Sequence, residues 1–336
     1  MFDSDRSTST PAEYIARRAE TVGEMFLKRV ERDGDRPAFY FKDGDQWQPV
    51  SWNAFSEQAG AVATYLLGLG LQIQDKVCVV GSTGPAWGYC DVGGLLAGAV
   101  TLGAYPTLTP KQLAYILDHA DTKVAFVEGL EEVNKILARR DELTQLERVI
   151  VWDTRGVESL MEAHRWLVPF ESVLQTPVDR PAIAARVATV DPNSTAIIVY
   201  TSGTTGPPKG AMISHDNIIT VMRDQDEAFS IDEGDVGLSF LPMAHVAERV
   251  LAFYGRINTG MGTYFASSIA KVLEEIAEVK PTIFGSVPRI FEKAYAKIMS
   301  TVEQASPTRQ RIFRWAERVG REAVQHWQAG EPIRFG

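Results

Sequence analysis

The chain reads as an α/β protein built around a largely parallel sheet. Two observations predict this. From residue 76 onward, short apolar runs of strand length alternate with segments of helical periodicity, the signature of βαβ units. Hydrophobic residues make up 45% of the 336 and charged residues 23%, a balance that can fill two cores in a globular protein. No repeat or low-complexity tract breaks the pattern.

Residues 1–20 read as a flexible polar lead-in without the apolar core of a signal peptide. Thr21 to Val30 predicts a short amphipathic helix. Residues 37–41 and 47–51 predict a hairpin around the turn Lys42-Asp43-Gly44-Asp45. Trp52, Phe55, Ala59, Val62, Ala63, Leu66 and Leu69 recur at helical spacing, read as core, and Gly70 closes that helix. Residues 76–80 predict a buried strand, 85–98 a closely packed helix rich in Gly and Ala, and 99–104 another strand. Thr109 as N-cap and Pro110 at the first helical position start a helix that reaches His119. Strands follow at 123–127 and 149–152. Residues 153–190, with Pro169, Pro177 and Pro181, read as a surface crossing. Beyond them lie expected strands at 195–200, 236–241, 263–265 and 282–285. Expected helices run from about 215 to 229, after His245, over 268–278, over 288–299, and over 308–328 as a long charged amphipathic tail.

The net charge of −9 argues against a nucleic-acid binder, which would show a basic face. The two cysteines, Cys78 and Cys90, lack metal-ligand spacing and cannot form a disulfide framework, so they suggest a reducing compartment. Cys78 lies in an apolar strand and reads as packing. No apolar run reaches the length of a membrane span. The chain reads as cytoplasmic.

The segment Tyr200-Thr201-Ser202-Gly203-Thr204-Thr205-Gly206-Pro207-Pro208-Lys209-Gly210 carries the chemistry. It follows the apolar run from Thr195 and cannot be regular structure. Its glycines allow close backbone approach to a ligand. Its amides and the hydroxyls of Thr201, Ser202, Thr204 and Thr205 make a nest suited to an anion with several oxygens, and Lys209 adds positive charge. The combination points to a polyphosphate. A Gly/Ser/Thr-rich surface turn would not need so many donors followed by Pro-Pro-Lys. The Walker A loop of P-loop NTPases does not fit, because no hydroxyl residue follows Lys209.

This string resembles, without a gap, the phosphate loop of the adenylate-forming (AMP-binding) superfamily. Three further strings are similar to the long-chain fatty acyl-CoA synthetase branch: Gly103 to Pro110 with Tyr115-Ile-Leu117, Phe240-Leu-Pro242-Met-Ala-His245-Val-Ala-Glu248-Arg249, and Ser286-Val-Pro288-Arg289-Ile-Phe291-Glu-Lys-Ala-Tyr295. The resemblance implies stacked α/β layers of the superfamily's large domain, incomplete and without the small C-terminal domain. It places 21–70 in the second sheet layer, 71–190 in a first α/β subdomain and 191–336 in a second, loop-bearing one. It implies ATP-dependent activation of a fatty acid to acyl-AMP and then acyl-CoA, with ATP, Mg2+ and coenzyme A as cofactors. Thr201, Ser202, Gly203, Thr204, Thr205, Gly206, Lys209 and Gly210 would hold the β- and γ-phosphates, with Thr201 also forming part of a magnesium site. His245 would line the acyl site near the adenylate as the catalytic candidate, or else cap a helix. Gly285, Val287, Pro288 and Arg289 would line the acyl tunnel or the nucleotide edge, although Arg289 also reads as a surface charge at a helix start. Glu248 and Arg249 read equally as an ion pair. His119, His164 and His326 read as solvated. The family allows peripheral membrane contact for acyl uptake and a homodimer.

The family's Tyr-Gly-x-Thr-Glu string, its ribose-binding aspartate and its C-terminal lysine are not found in this sequence. The chain is therefore expected to be an N-terminal part that does not turn over alone. The alternatives are an inactive nucleotide- or lipid-binding fragment and an acyl- or aryl-CoA ligase of another chain-length class.

Overall fold

The computed structural model describes residues 15–201 and 206–331. One compact unit runs to Phe284 and a second begins at Gly285.

The first unit holds two sheets. The larger has seven strands in the order β7-β6-β5-β3-β4-β8-β9. Its members are β3 (Lys76–Val80), β4 (Val100–Ala104), β5 (Thr122–Val127), β6 (Arg148–Val151), β7 (Leu167–Pro169), β8 (Thr195–Thr201) and β9 (Lys209–Ser214). All neighbours are parallel except β8 and β9, which form an antiparallel hairpin. Successive side chains point to opposite faces. Val77, Val79, Phe126 and Ile150 pack with α2 (Trp52–Gly68) and α3 (Pro85–Leu96) on one side. Cys78, Val80, Ala125 and Val151 pack with α4 (Pro110–His119) and α5 (Leu130–Leu137) on the other. Burial on both faces explains why these strands read as continuous apolar runs. It also pushes the Cys78 thiol up to about 12, in keeping with a packing role.

The smaller sheet has the order β10-β11-β1-β2. β1 (Pro37–Asp43) and β2 (Gln46–Ser51) form the expected hairpin, closed by Gly44 at φ +59°. β10 (Val236–Ser239) and β11 (Gly262–Phe265) join it in parallel. The first half of the chain thus completes a sheet that the second half begins.

The region from 153 to 190 is not a surface crossing. It forms α6 (Glu158–Ala163), the edge strand β7, α7 (Phe170–Leu174) and α8 (Arg180–Val187), and it buries Val157, Phe170, Val173 and Ile183. Its prolines sit where they break nothing: Pro169 ends an edge strand, and Pro181 lies in the first turn of α8. The expected strand at 282–285 reduces to one bridge, Ile283 to Gly237. Part of the lead-in is also fixed. Ile15–Arg18 forms a 3-10 turn, with Ile15, Ala16 and Ala19 buried. The Ala16 amide donates to Asn258 Oδ1 at 2.7 Å, and Arg223 donates to the Ala16 and Ala19 carbonyls at 3.1 Å. The earlier lead-in residues, 1–14, lie outside the described residues.

α1 (Val22–Asp33), capped by Thr21, and α9 (His215–Ala228), capped by Ser214, complete the first unit with a π-helix (Ala247–Tyr254), α10 (Gly255–Thr259) and α11 (Val272–Val279). The second unit contains α12 (Pro288–Glu303) and α13 (Pro307–Gln328), each with proline in its first turn.

Candidate functional site

β3 and β4 are adjacent, yet they feed helices on opposite faces, α3 on one side and α4 on the other. Such a reversal opens a crevice at the carboxyl ends of the two strands. A cleft of about 540 Å³ lies there. Its walls are Gly81 to Thr83 after β3, Tyr105 to Thr107 after β4, Phe240 and Pro242 after β10, and Ala266 to Ala270 after β11. Both sheets therefore build it. Two glycines permit the approach. A Cβ on Gly81 would stand 2.2 Å from the Trp152 ring, and one on Gly103 would stand 2.8 Å from Ala244 Cα. The Thr83 hydroxyl, donating to the Leu241 carbonyl at 2.6 Å, ties the two walls together.

The glycine- and threonine-rich loop leaves the same edge from the neighbouring strand, β8. Thr201 is the last residue of β8 and pairs across the hairpin with Lys209, the first of β9. Both are exposed, and Lys209 has no hydrogen bond or ion pair among the described residues. Gly206 sits at φ +103°, in the left-handed region that favours glycine. Gly210 is required for a different reason: a Cβ there would meet Ile198 Cγ2 at 2.8 Å. Ser202, Gly203, Thr204 and Thr205 lie outside the described residues. Helix α4 holds both flanks of the loop. The Tyr115 hydroxyl donates to the Pro208 carbonyl at 3.1 Å, and Tyr200 OH lies 2.8 Å from His119 Nδ1. His119 is therefore not merely solvated. Partial burial pushes the Tyr200 phenol up to about 12, so it stays protonated.

His245 is exposed at the start of the π-helix, and its Nδ1 accepts from the Ala247 amide at 3.1 Å. This is a capping bond. It assigns the proton of the neutral ring to Nε2, an N–H with no acceptor among the described residues.

Glu248 and Arg249 do not pair with each other. Glu248 bonds Ser239 and meets Arg256 at 3.3 Å. Arg249 is fully buried against Asp91, Thr101 and Tyr254, with its guanidinium 5.1 Å from the Trp87 ring centroid. The Tyr254 and Thr101 hydroxyls donate to the same carboxylate, at 2.7 and 2.6 Å. This cluster fastens the π-helix to α3 and β4, and with them the Pro242–His245 segment beside the cleft. Consecutive charges suggested a local pair, but adjacent helical residues diverge, and Arg249 turns inward to a carboxylate 158 positions away.

Gly285, Val287, Pro288 and Arg289 lie in the second unit, exposed, where the chain enters α12. His164 packs against Trp166, and His326 meets Glu331 at 2.7 Å. His215, which sequence reasoning passed over, is buried and accepts from the Val22 amide at 3.3 Å. Its apolar surroundings hold its pKa down at about 4. No group of three or more His, Cys, Asp or Glu among the described residues could hold a metal ion. The described loop residues fit a phosphate, through an unpartnered lysine and two obligatory glycines. For magnesium they offer the Thr201 hydroxyl.

The AMP-binding enzyme family matches residues 26–333. Long-chain-fatty-acid–CoA ligase ACSBG2 of Xenopus laevis is 30% identical over 331 residues, covering 96% of this chain and 43% of that protein. The chain thus spans less than half the length of this curated relative. Among solved structures, the A-PCP didomain of carboxylic acid reductase from Segniliparus rugosus, in complex with AMP, superposes with a TM-score of 0.76 at 22% identity, covering 90% of this chain and 48% of that one. The fatty acyl CoA synthetase of Mycobacterium tuberculosis gives 0.68 at 21%, covering 81% and 50%. These likenesses show the fold, that of the large domain of adenylate-forming enzymes. With the family match running over nearly its whole length, the chain belongs to the AMP-binding enzyme family.

Proposed function

We propose that this chain supplies the ATP-binding and acyl-activating half of a long-chain fatty acid–CoA ligase. The observation that carries the reading is the β8–β9 hairpin, which presents Lys209, without a partner among the described residues, across from Thr201 at the edge where the crevice opens. In the first half-reaction a carboxylate oxygen attacks the α-phosphorus of ATP. The bond to the bridging oxygen breaks, and pyrophosphate leaves. In the second, the coenzyme A thiol adds to the acyl carbonyl and AMP departs. Neither half needs a protein nucleophile, so the protein contributes position and charge.

Lys209 and the loop amides offset charge on the β- and γ-phosphates. His245, through its Nε2–H, donates to an oxygen of the acyl carboxylate or the α-phosphate. The Thr201 hydroxyl would hold part of a magnesium site, and the ion would offset negative charge on the phosphates. The crevice beside Tyr105, Pro106 and Pro242 takes the acyl chain or the incoming thiol. The resemblance gives Gly285, Val287, Pro288 and Arg289, in the second unit, a lining role at the acyl tunnel or the nucleotide edge. The long-chain assignment is supported by the curated relative's name and by the strings at 103–110 and 286–291.

In any longer product that contains this chain, ATP–pyrophosphate exchange with acids from octanoate to palmitate tests the proposal. Exchange should rise with chain length, each buried methylene contributing about 0.8 kcal/mol. Preference for acetate or benzoate would remove the long-chain assignment. MgATP binding without acid-dependent exchange would instead favour a nucleotide-binding module.

A further inference from the structure

Tyr115 and His119 stand four residues apart on α4, so they share one face of the helix. Leu113, Ile116 and Leu117 fasten that helix into the core of the first unit. From this fixed base both side chains reach the β8–β9 hairpin. The Tyr115 hydroxyl donates to the Pro208 carbonyl at 3.1 Å, and Tyr200 OH lies 2.8 Å from His119 Nδ1. These contacts fall one residue before Lys209 and one residue before Thr201, the pair that closes the hairpin. The Tyr115 bond fixes more than a carbonyl. A trans peptide is planar, and its C=O and following N–H point opposite ways. With the Pro208 carbonyl turned toward α4, the Lys209 amide is turned away from it. The second contact holds Tyr200, whose ring lies against Gly210: a Cβ there would stand 3.3 Å from Tyr200 Cζ. The Tyr200 phenol stays protonated, so it donates, and Nδ1 of the neutral imidazole accepts. The three rings pack together, His119 lying 5.2 Å from Tyr115 and 5.8 Å from Tyr200 between centroids.

We propose that Tyr115 and His119 are positioning residues for the polyphosphate, holding both flanks of the β8–β9 loop from α4 so that its donors stand arranged before the nucleotide arrives. The inference rests on the phosphate reading of that loop and adds to it the side chains that shape it. A ligand gripped by several donors at once is held tightly only where those donors need not be ordered on binding. Packing supplies little of that order here. β9 is an edge strand with no buried residue, and Met212 on it is 70% exposed. Order in the loop therefore has to come from its flanks, and α4 grips both. The same helix follows the cleft wall at Tyr105 to Thr107, so one rigid element carries the wall and the loop together.

The test uses the full chain. Tyr115→Phe keeps the ring and loses only the hydroxyl, and calorimetry should show MgATP affinity falling about two- to tenfold, the net worth of one hydrogen bond. His119→Ala should do the same. His119→Asn should return the affinity to the parent level, because Asn Oδ1 stands two bonds from Cβ, as Nδ1 does, and accepts from Tyr200. Trypsin gives a second readout that needs no nucleotide, since it cuts after Lys209. Cleavage of the Lys209–Gly210 bond should quicken in Tyr115→Phe and His119→Ala while other tryptic sites keep the parent rate. Parent affinity in both of these variants overturns the proposal. So does faster cleavage at every site, which would make the two bonds part of general stability. A parent chain that binds no MgATP would fail the phosphate reading; equal cleavage at Lys209 in parent and variants would fail the inference on its own.

Discussion

Helices α2 and α13 carry the same periodic apolar signature and meet opposite fates. In α2, Trp52, Phe55, Val62 and Leu66 are almost entirely buried. In α13 no residue is buried. Composition separates them. α2 has one charged residue, Glu57, and its partner α3 presents a glycine to it: a Cβ on Gly93 would stand 2.6 Å from Val62 Cβ. α13 has five arginines and long side chains on every turn. A periodic stripe says that a face needs a partner. The residues beside the stripe say whether another helix can come close enough to exclude water.

The largest test of this contrast concerns arginines in the two regions. Arg249 is locked to Asp91 between elements of the first unit, whereas Arg314 and Arg318 make no hydrogen bond or ion pair with any described residue. Arg249→Ala leaves the Asp91 carboxylate buried without its countercharge, which typically costs about 3–5 kcal/mol. Urea unfolding measures it. A loss below about 1 kcal/mol would mean that the cluster does not fasten the π-helix. Arg314→Gln should leave the unfolding midpoint in place.

A second contrast lies inside the first unit and depends on pH. His215 and Asp226 are both buried on α9, with opposite linkage. The imidazole has its pKa lowered by desolvation to about 4, from 6.5 when unfolded. Its stabilising contribution is present above pH 6.5 and is lost as pH falls toward 4. The Asp226 carboxyl is raised by desolvation to about 6, from 3.8, despite a 2.7 Å bond from Asn258. The folded state holds that proton more tightly, so Asp226 weakens the fold above pH 6 and the penalty lifts as pH falls through 6. Each effect is on the order of 2–3 kcal/mol, and between pH 6 and pH 4 they oppose each other. Asp226→Asn should therefore steepen the loss of stability on acidification. His215→Asn should make the protein gain stability between pH 6 and pH 4. Parallel pH profiles for parent and variants would refute the linkage.

At the site, Lys209→Ala should weaken MgATP binding by about 1–3 kcal/mol, the range for a charge-assisted hydrogen bond. Isothermal calorimetry of both forms reads it directly, and equal affinities would move the phosphate site away from the hairpin.

What the sequence disclosed follows from where the information sits along it. Strands β3, β4 and β5 fall within a residue of expectation because burial on both faces makes each a bounded apolar run. α4 begins where Thr109 and Pro110 said it would, with Gln112 completing a capping box. β9 escaped notice because a half-exposed edge strand containing Lys209 and Gly210 has little β character. α5 escaped because it is eight residues long and starts after a glycine. The phosphate loop could be recognised because its glycines, hydroxyls and lysine stand in one run. The cleft could not, since four separated segments meet there only through strand order. Nor could the grip of Tyr115 and His119 on the loop, or the pairing of Arg249 with Asp91, which depend on residues some 80 to 160 positions apart.

The smallest expected effect sharpens the comparison most. If the apolar face of α13 packs on nothing else in the chain, it contributes little to the chain's own stability. Trp315 stays 59% exposed, so Trp315→Gln removes only part of a tryptophan's burial and should change stability by no more than about 1 kcal/mol. Tryptophan burial itself is not weak in this protein: Trp52, 2% exposed, sits against Phe26 and Phe55 in the aromatic core. Urea unfolding of Trp315→Gln alongside the parent makes the measurement. An unchanged midpoint leaves the stripe free for a partner. A loss of 2 kcal/mol or more, in the range for fully burying a large apolar side chain, would show that the stripe already packs within the chain in solution, and the contrast between α2 and α13 would collapse.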